Sequence, residues 1–323
     1  MTIQGERILI TGATGFIGGH LAEQLARENH VKALARDTAE SKTNRLRSLG
    51  VELIPGDLRD LGSLRNAVCD IDIVYHLAEE RGFSRKACRV NIEATKTLID
   101  TSLSVGIKRF VYVSTVAVNN NLLKREDHTH YEPYPWYLHT MAKCADEKYG
   151  FEKYKHDGFP FSVVRPSAVY ARKSPLVDDI VAWPKNHRHI GYPVLGDGSN
   201  LMHFGHVDDI VKGLILAGSL HQAIGNAYTI VDDMPISWNV MLDLITQVFG
   251  IQLKVWHIPV RPVRIAASVI EWLSRATTAP VPTRLLVDVF SGDFIFSNRK
   301  AKVEFGFNPD YSSPFAGLGK DKN

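Results

Sequence analysis

Short apolar runs alternate with helical periodicities through the first half of the chain. Runs at 7–11, 31–35, 51–55, 71–77, 109–114 and 161–165 read as strands. Between them, 16–27, 85–105 and 136–156 carry apolar residues at helical spacing. Strand–helix alternation of this kind predicts the α/β class, with helices on both faces of a doubly wound parallel sheet. Sheets of that kind bind ligands beyond the carboxyl ends of their strands. After Arg165 the rhythm breaks, and proline and glycine become frequent through 166–198. The chain therefore reads as a nucleotide-binding domain over 1–165 and a smaller substrate lobe over 166–323, interleaved with the sheet. A stretch at 261–286 has the pattern of an amphipathic helix, expected to lie on the core or over the substrate cleft rather than on a membrane surface. Residues 320–323 read as a frayed tail.

The first strand runs into Thr11-Gly12-Ala13-Thr14-Gly15-Phe16-Ile17-Gly18, which opens the first helix. Gly12 permits the tight turn, Gly15 lets the backbone approach a pyrophosphate, and Gly18 allows close packing of helix on strand. The N–H groups and positive dipole end of the helix then face the phosphates. A glycine string alone is weak, but here strand, loop, helix and the following βαβ context are all present. Dinucleotide binding of the Rossmann kind follows.

At the end of the second strand, an NAD site places an acid that bonds the ribose hydroxyls. This chain reads Leu34-Ala35-Arg36-Asp37 instead. Ala35 removes the acid, and Arg36 supplies a planar fork suited to a 2′-phosphate. Asp37 comes one residue late, and Lys42 and Arg45 add positive charge nearby. NADP is the expected cofactor, with NAD as the alternative.

Composition narrows the picture only a little. The chain has 323 residues, 45% hydrophobic and 23% charged, with a formal net charge of +3. That charge is too small to imply nucleic acid or an anionic membrane as partner. No apolar run reaches the ~18 residues of a spanning helix. The first strand starts too early to leave room for a signal peptide. Cys69, Cys88 and Cys144 form no CxxC or zinc spacing and suit a reducing cytosol. Among 13 histidines, the pairs His128/His130, His187/His189 and His203/His206 lack the helical spacing and carboxylate of a metal site, so no metal is expected.

Further motifs extend over nearly the whole chain, and together with the glycine loop they resemble the extended short-chain dehydrogenase/reductase family. This family includes sugar-nucleotide epimerases, dihydroflavonol reductases and 3β-hydroxysteroid dehydrogenases. Gly56-Asp57-Leu58 resembles its adenine-contacting acid, and His76-Leu77-Ala78 resembles the strand end lining the adenosine side. Asn91 falls in a VN-x-x-x-T string of the next helix. Val113-Ser114-Thr115 matches the strand end supplying the catalytic hydroxyl. Arg165-Pro166-Ser167-Ala168-Val169-Tyr170 resembles the segment beside the nicotinamide. His206-Val207-Asp208-Asp209 and Ser297-Asn298-Arg299-Lys300-Ala301 match signatures of the extended branch. The resemblance implies an enzyme acting on a small molecule, with a homodimer as the default assembly.

The family's catalytic helix carries Y-x-x-x-K. Lys143 matches the lysine, but four residues earlier stands His139. His139 follows Thr115 by 24 residues, which fits the family and argues against a shifted alignment. Tyr137 lies six residues from Lys143, about 240° around a helix, and would point elsewhere unless the helix begins after it. Tyr131 and Tyr134 lie in the preceding loop and stay open as substitutes. A histidine in the first helical turn beside Lys143 is held neutral, which makes it a base rather than an acid at pH 7. That favours oxidation or proton abstraction over ketone reduction.

The resulting expectation is an NADP(H)-dependent oxidoreductase acting on a small or mid-sized organic alcohol or ketone. Lys143 would orient the cofactor, Thr115 (Ser114 in reserve) would bond the reacting oxygen, and His139 would move the proton. A non-redox isomerase, lyase or cyclase on the same fold, and a non-catalytic NADP-binding sensor, remain as rivals.

Overall fold

The structure is a computed structural model describing residues 3–36, 41–80, 84–118, 137–187, 189–274 and 283–320. Seven strands form a parallel sheet. They are β1 (Arg7–Thr11), β2 (His30–Ala35), β3 (Glu52–Pro55), β4 (Ile73–His76), β5 (Arg109–Val113), β6 (Phe161–Pro166) and β7 (Ala227–Ile230). Their order is β7-β6-β5-β4-β1-β2-β3, with every neighbouring pair parallel. The chain thus winds outward from β1 to β3, returns to lay β4 beside β1, and winds outward again. A crevice opens at the carboxyl ends of β1 and β4, where the winding reverses.

Helices cover both faces. Among the chain's helices are α1 (Phe16–Leu25), α2 (Ser41–Ser48), α3 (Leu61–Ala67), α4 (Arg85–Val105), α5 (Leu138–Asp157), α6 (Pro175–Asn186), α7 (Val207–Ser219), α8 (Trp238–Phe249), α9 (Val260–Ser274) and α10 (Thr283–Ser291), of which α6, α8, α9 and α10 pack in the second half rather than on the sheet. Alternate strand residues feed opposite layers, because the pleat turns successive side chains to opposite faces. Ile8, Ile10, Val111 and Val113 pack under α1 and α7, while Leu9, Phe110 and Tyr112 pack under α3 and α4. Burial on both faces is why these strands read as continuous apolar runs. A third core around Tyr170, Phe204, Trp238 and Met241 belongs to the second half of the chain.

The structure departs from expectation in four places. β7, a strand not read from the sequence, comes from the second half, pairs with β6 and completes the sheet. α2 and α3 were not legible, because each buries too little to impose a period; among its described side chains α2 buries only Thr43 and Leu46. α5 begins at Leu138, later than 136. The described residues of 261–286 belong to α9 and α10, and the apolar side of α9 faces outward, with Ile265 68% and Trp272 67% exposed. The expected burial of that stripe on the core is therefore corrected. α9 is held instead by a narrow edge of Ala267 and Glu271, whose carboxylate accepts from the Arg284 N–H at 2.9 Å.

α5 is anchored to the sheet by a buried ion pair. The Arg165 guanidinium on β6 donates from Nε to Glu147 Oε1 at 3.0 Å and from a second nitrogen to Oε2. Glu147 is fully buried and Arg165 nearly so. Removing one partner strands the other charge, so Glu147→Leu should cost ~3–5 kcal/mol. Urea unfolding midpoints measure this. A loss below ~1 kcal/mol would show that the guanidinium finds other partners.

Candidate active site and dinucleotide cleft

A cleft of about 580 Å³ opens at the carboxyl edge of the sheet. Each strand from β1 to β6 contributes the residues just past its end. Gly12, Thr14, Gly15, Phe16, Ile17 and Gly18 follow β1; Arg36 follows β2; Asp57 and Leu58 follow β3; Leu77, Ala78, Glu79 and Glu80 follow β4. Ser114 follows β5, Pro166 and Val169 close the far end, and α5 adds His139 and Lys143. Thr115 and Tyr137 are not part of this wall.

The glycine loop has the shape of a phosphate cradle. Gly12 has φ +83°, which a residue with a side chain adopts only under strain, and a Cβ there would meet Ala78 N at 2.8 Å. At Gly18 a Cβ would meet Gly12 O at 2.2 Å, so this glycine lets α1 sit against the turn. Gly15 differs from both. A Cβ there would meet Gly12 O alone, at 3.1 Å, and would otherwise occupy the cleft. Gly15 caps α1 without a side-chain bond, and the first turn holds no acid, so the helix end meets an anion without a competing carboxylate. These features fit a dinucleotide's pyrophosphate.

At the adenosine end, Arg36 Nη1 rests 3.8 Å from Glu80 Oε2 and is 68% exposed. Asp57 takes a forked pair of bonds from Arg59 at 2.9 and 2.6 Å, which holds its carboxyl down near pH 2 with help from Arg36. Arg45 pairs with Glu23 on α1 and is not in the cleft wall. Asp37 lies outside the described residues, as does the side chain of Lys42.

At the other end, β5 delivers two hydroxyls differently. Ser114 is buried in the wall, and its Oγ has no hydrogen-bond partner among the described residues. Thr115 Oγ1 accepts from the Ala117 N–H at 3.3 Å, at the head of the turn Val116–Val118. α5 starts one residue after Tyr137, the condition under which that ring escapes the helical spacing. The Tyr137 ring lies 5.5 Å from the His139 ring. Burial, with Glu79 nearby, pushes the Tyr137 hydroxyl above its ordinary pKa, which suits a neutral phenol. Tyr131, Tyr134, His128 and His130 lie outside the described residues.

His139 and Lys143 share one face of α5, and Glu79 joins them from the loop after β4. One Glu79 carboxylate oxygen stands 3.4 Å from His139 Nδ1 and 3.4 Å from Lys143 Nζ. Lys143 is buried, donates to Val113 O at 2.9 Å, and lies 4.9 Å from the Tyr112 ring centre. The His139 pKa is lowered chiefly by burial and further by Lys143⁺, against the opposing pull of Glu79. Desolvation therefore leads, ahead of the lysine that the sequence pointed to. Sequence reasoning missed Glu79. Its only local signal was an acid placed directly past a buried strand end, at the ligand-binding edge of a parallel sheet. A neutral imidazole with Nδ1–H turned to a carboxylate has Nε2 left to accept a proton, and the carboxylate stabilises the imidazolium that results.

Three histidines of the substrate lobe make structural contacts. His206 caps α7 through Nδ1, which accepts from the Asp208 N–H at 3.3 Å, and His203 Nδ1 accepts from the Phe296 N–H at 2.9 Å. His187 stacks on Trp183 with ring centres 3.9 Å apart. Among the described residues, no three His, Cys, Asp or Glu side chains cluster to hold a metal, and no helix is long and apolar enough to cross a membrane.

Comparison with known proteins agrees with this architecture. The chain is 27% identical over 312 residues to the 4-hydroxy-2-methyl-3-oxo-4-farnesyl-3,4-dihydroquinoline-1-oxide ketoreductase of Stigmatella aurantiaca, covering 93% of this chain and 91% of that one. It is 24% identical over 322 residues to the decarboxylating sterol-4-alpha-carboxylate 3-dehydrogenase of Mus musculus, covering 95% and 87%. The fold superposes on UDP-glucuronic acid 4-epimerase from Bacillus cereus, solved with UDP-glucuronic acid and NAD, with a TM-score of 0.74 at 20% identity over 97% and 98% of the chains. The NAD dependent epimerase/dehydratase family matches residues 8–230, from the first core strand to the last. With that span and with the glycine loop, Lys143 and the carboxyl-edge cleft in place, the chain belongs to this family of extended short-chain dehydrogenase/reductase enzymes.

Proposed function

We propose that the protein is an NADP(H)-dependent oxidoreductase that interconverts an organic alcohol and its ketone, with His139 as the proton-transfer group. The observation that carries this reading is the trio at the cleft wall, in which one Glu79 oxygen stands 3.4 Å from both His139 Nδ1 and Lys143 Nζ. Bound NADP supplies the carbon that accepts or returns a hydride. Around it, Lys143 holds the ribose and Ser114, with its unpartnered hydroxyl, bonds the reacting oxygen; Thr115 follows one position on. Glu79 keeps the His139 proton on Nδ1, and Nε2 removes the substrate's hydroxyl proton. The names of two near-full-length relatives, a ketoreductase and a 3-dehydrogenase, support alcohol–ketone chemistry. Free thiols at Cys69, Cys88 and Cys144 support a cytosolic location, and a homodimer is carried over from the family by analogy.

The test is a screen of secondary alcohols with NADP⁺, followed by the absorbance of reduced nicotinamide. One equivalent of reduced cofactor per product supports the reading. Product without net cofactor change selects an isomerase, lyase or cyclase, and tight binding without product selects a sensor.

Arg36 carries the choice of NADP over NAD. Its contact with Glu80 is long and exposed, so it contributes little and gives way to a phosphate dianion. Arg36→Ala should weaken NADP binding by ~1.5–3 kcal/mol, the scale of a lost charge-assisted bond, and should affect NAD much less. Titration of both cofactors decides it, since equal losses would remove Arg36 as the phosphate reader.

A further inference from the structure

α5 carries His139, Lys143 and Asp146 at i, i+4 and i+7, which sets them in one stripe along the helix. Asp146 has no role in the reading above, yet its carboxyl is 1% exposed. Its Oδ2 accepts from the Tyr112 hydroxyl at 2.7 Å and from the Thr95 hydroxyl at 3.1 Å. Its Oδ1 has no hydrogen-bond partner among the described residues. Asp146 lines a cavity of about 10 Å³, room for one water, whose wall it shares with Glu79, Asn91, His139 and Lys143. A small, partly open cavity with the buried Asp146 carboxyl and the His139–Glu79 pair in the same wall is a place for a proton to rest.

The surrounding groups set when that happens. Lys143 on the same helix and the hydroxyls of Tyr112 (β5) and Thr95 (α4) favour the carboxylate, while Glu147 opposes it. Glu79 faces Asp146 across the cavity, the Cys88 thiol of α4 feels its charge, and His76 of β4 is reached through Thr95, 3.0 Å from its Nε2. Burial outweighs the favourable contacts and pushes the Asp146 carboxyl up to about 7.

We propose that Asp146 is the proton store behind His139, receiving through Glu79 and the water-sized cavity the proton equivalent that His139 takes from the substrate. This rests on His139 being the proton-transfer group. The substrate's O–H proton bonds to Nε2, and the Nδ1–H bond breaks as that proton passes to Glu79, 3.4 Å away. Glu79 hands it to a water in the cavity, and the water releases one of its own protons to Asp146 Oδ1. Glu79 returns to its starting form and His139 is again neutral, now with its proton on Nε2 instead of Nδ1; one O–H bond has been lost and one gained, and nothing is oxidised in the relay. Asp146 touches neither substrate nor cofactor and acts as a positioning residue for the proton.

The test uses the full chain without substrate and reads the two ends separately. Infrared difference spectra taken on either side of pH 7 should show a buried protonated carboxyl that vanishes in Asp146→Asn. Nuclear magnetic resonance of the His139 ring should show a second inflection at the same pH, also lost in Asp146→Asn. Tyr112→Phe keeps the carboxyl but removes one bond to its charged form. It should move the carboxyl titration and the ring inflection upward together, by about one pH unit. This variant carries the test if Asp146→Asn does not fold. A missing carboxyl band, or a ring that ignores both substitutions, overturns the proposal. Full turnover in His139→Ala instead removes the reading beneath it, and the two failures are distinct because the spectra need no turnover.

Discussion

Replacing His139 with alanine should lower turnover by ~10²–10⁴-fold, the contribution of a positioned acid–base group. Dinucleotide affinity should change little, because the glycine loop and Lys143, which would hold the nucleotide, are left in place. The pH–rate profile of the parent adds an independent check. The ring must be neutral to accept a proton, so the rate should rise with pH as His139 loses its charge. Burial and Lys143⁺ lower its pKa, and Glu79 only partly offsets them, so the rise should come below the ordinary histidine value of ~6.5. His139→Tyr restores the family's Y-x-x-x-K spacing and should keep or enhance ketone reduction, provided the phenol fits beside Glu79. Steady-state kinetics on the four variants His139→Ala, Tyr137→Phe, Tyr131→Phe and Tyr134→Phe settle the assignment. If the first keeps full activity and a tyrosine variant loses it, the proton moves through that tyrosine.

Gly15→Val should abolish dinucleotide binding and leave the chain folded. Gly15 has φ −82° and ψ 175°, a conformation open to any residue, so the backbone carries no strain. The new Cβ meets Gly12 O alone, at a distance that a few tenths of an ångström relieves, and its methyl groups then fill the path of the pyrophosphate. The neighbouring glycines should fail differently. Gly12→Val imposes a left-handed conformation costing ~1–2 kcal/mol and adds a backbone clash at 2.8 Å, while Gly18→Val drives a Cβ to 2.2 Å from a carbonyl. Both should unfold more readily than Gly15→Val. Calorimetric titration with NADP⁺ beside thermal unfolding separates the cases. Undiminished affinity in Gly15→Val would make the loop a structural turn and remove the basis of the cofactor assignment.

Local pattern was enough for most of the architecture. Doubly buried strands such as β1 and β5 leave apolar runs, and a long helix such as α4, with Ser84 at its N-cap and Gly106 after its last turn, carries its own boundaries. The glycine loop was legible because its chemistry is packed into eight consecutive residues. Lys143 and His139 were legible because helical spacing places them on one face. Short polar helices were lost, since α2 owes its place to two side chains meeting a distant surface. β7 was lost because its partner β6 ends 61 residues before it begins, and no local signal names a partner. Strand geometry sent Ser114 into the wall and left Thr115 to the following turn, since adjacent side chains past a strand end diverge. Glu79 shows the limit most clearly. The acid precedes His139 by 60 residues in the chain, and only the parallel alignment of β4 and β5 under α5 brings its carboxylate to the imidazole. Sequence alone determined which residue types could do the chemistry and which cradle could hold the nucleotide. Tertiary structure decided which side chains meet, because strand order and helix packing set those distances between segments that share no local period.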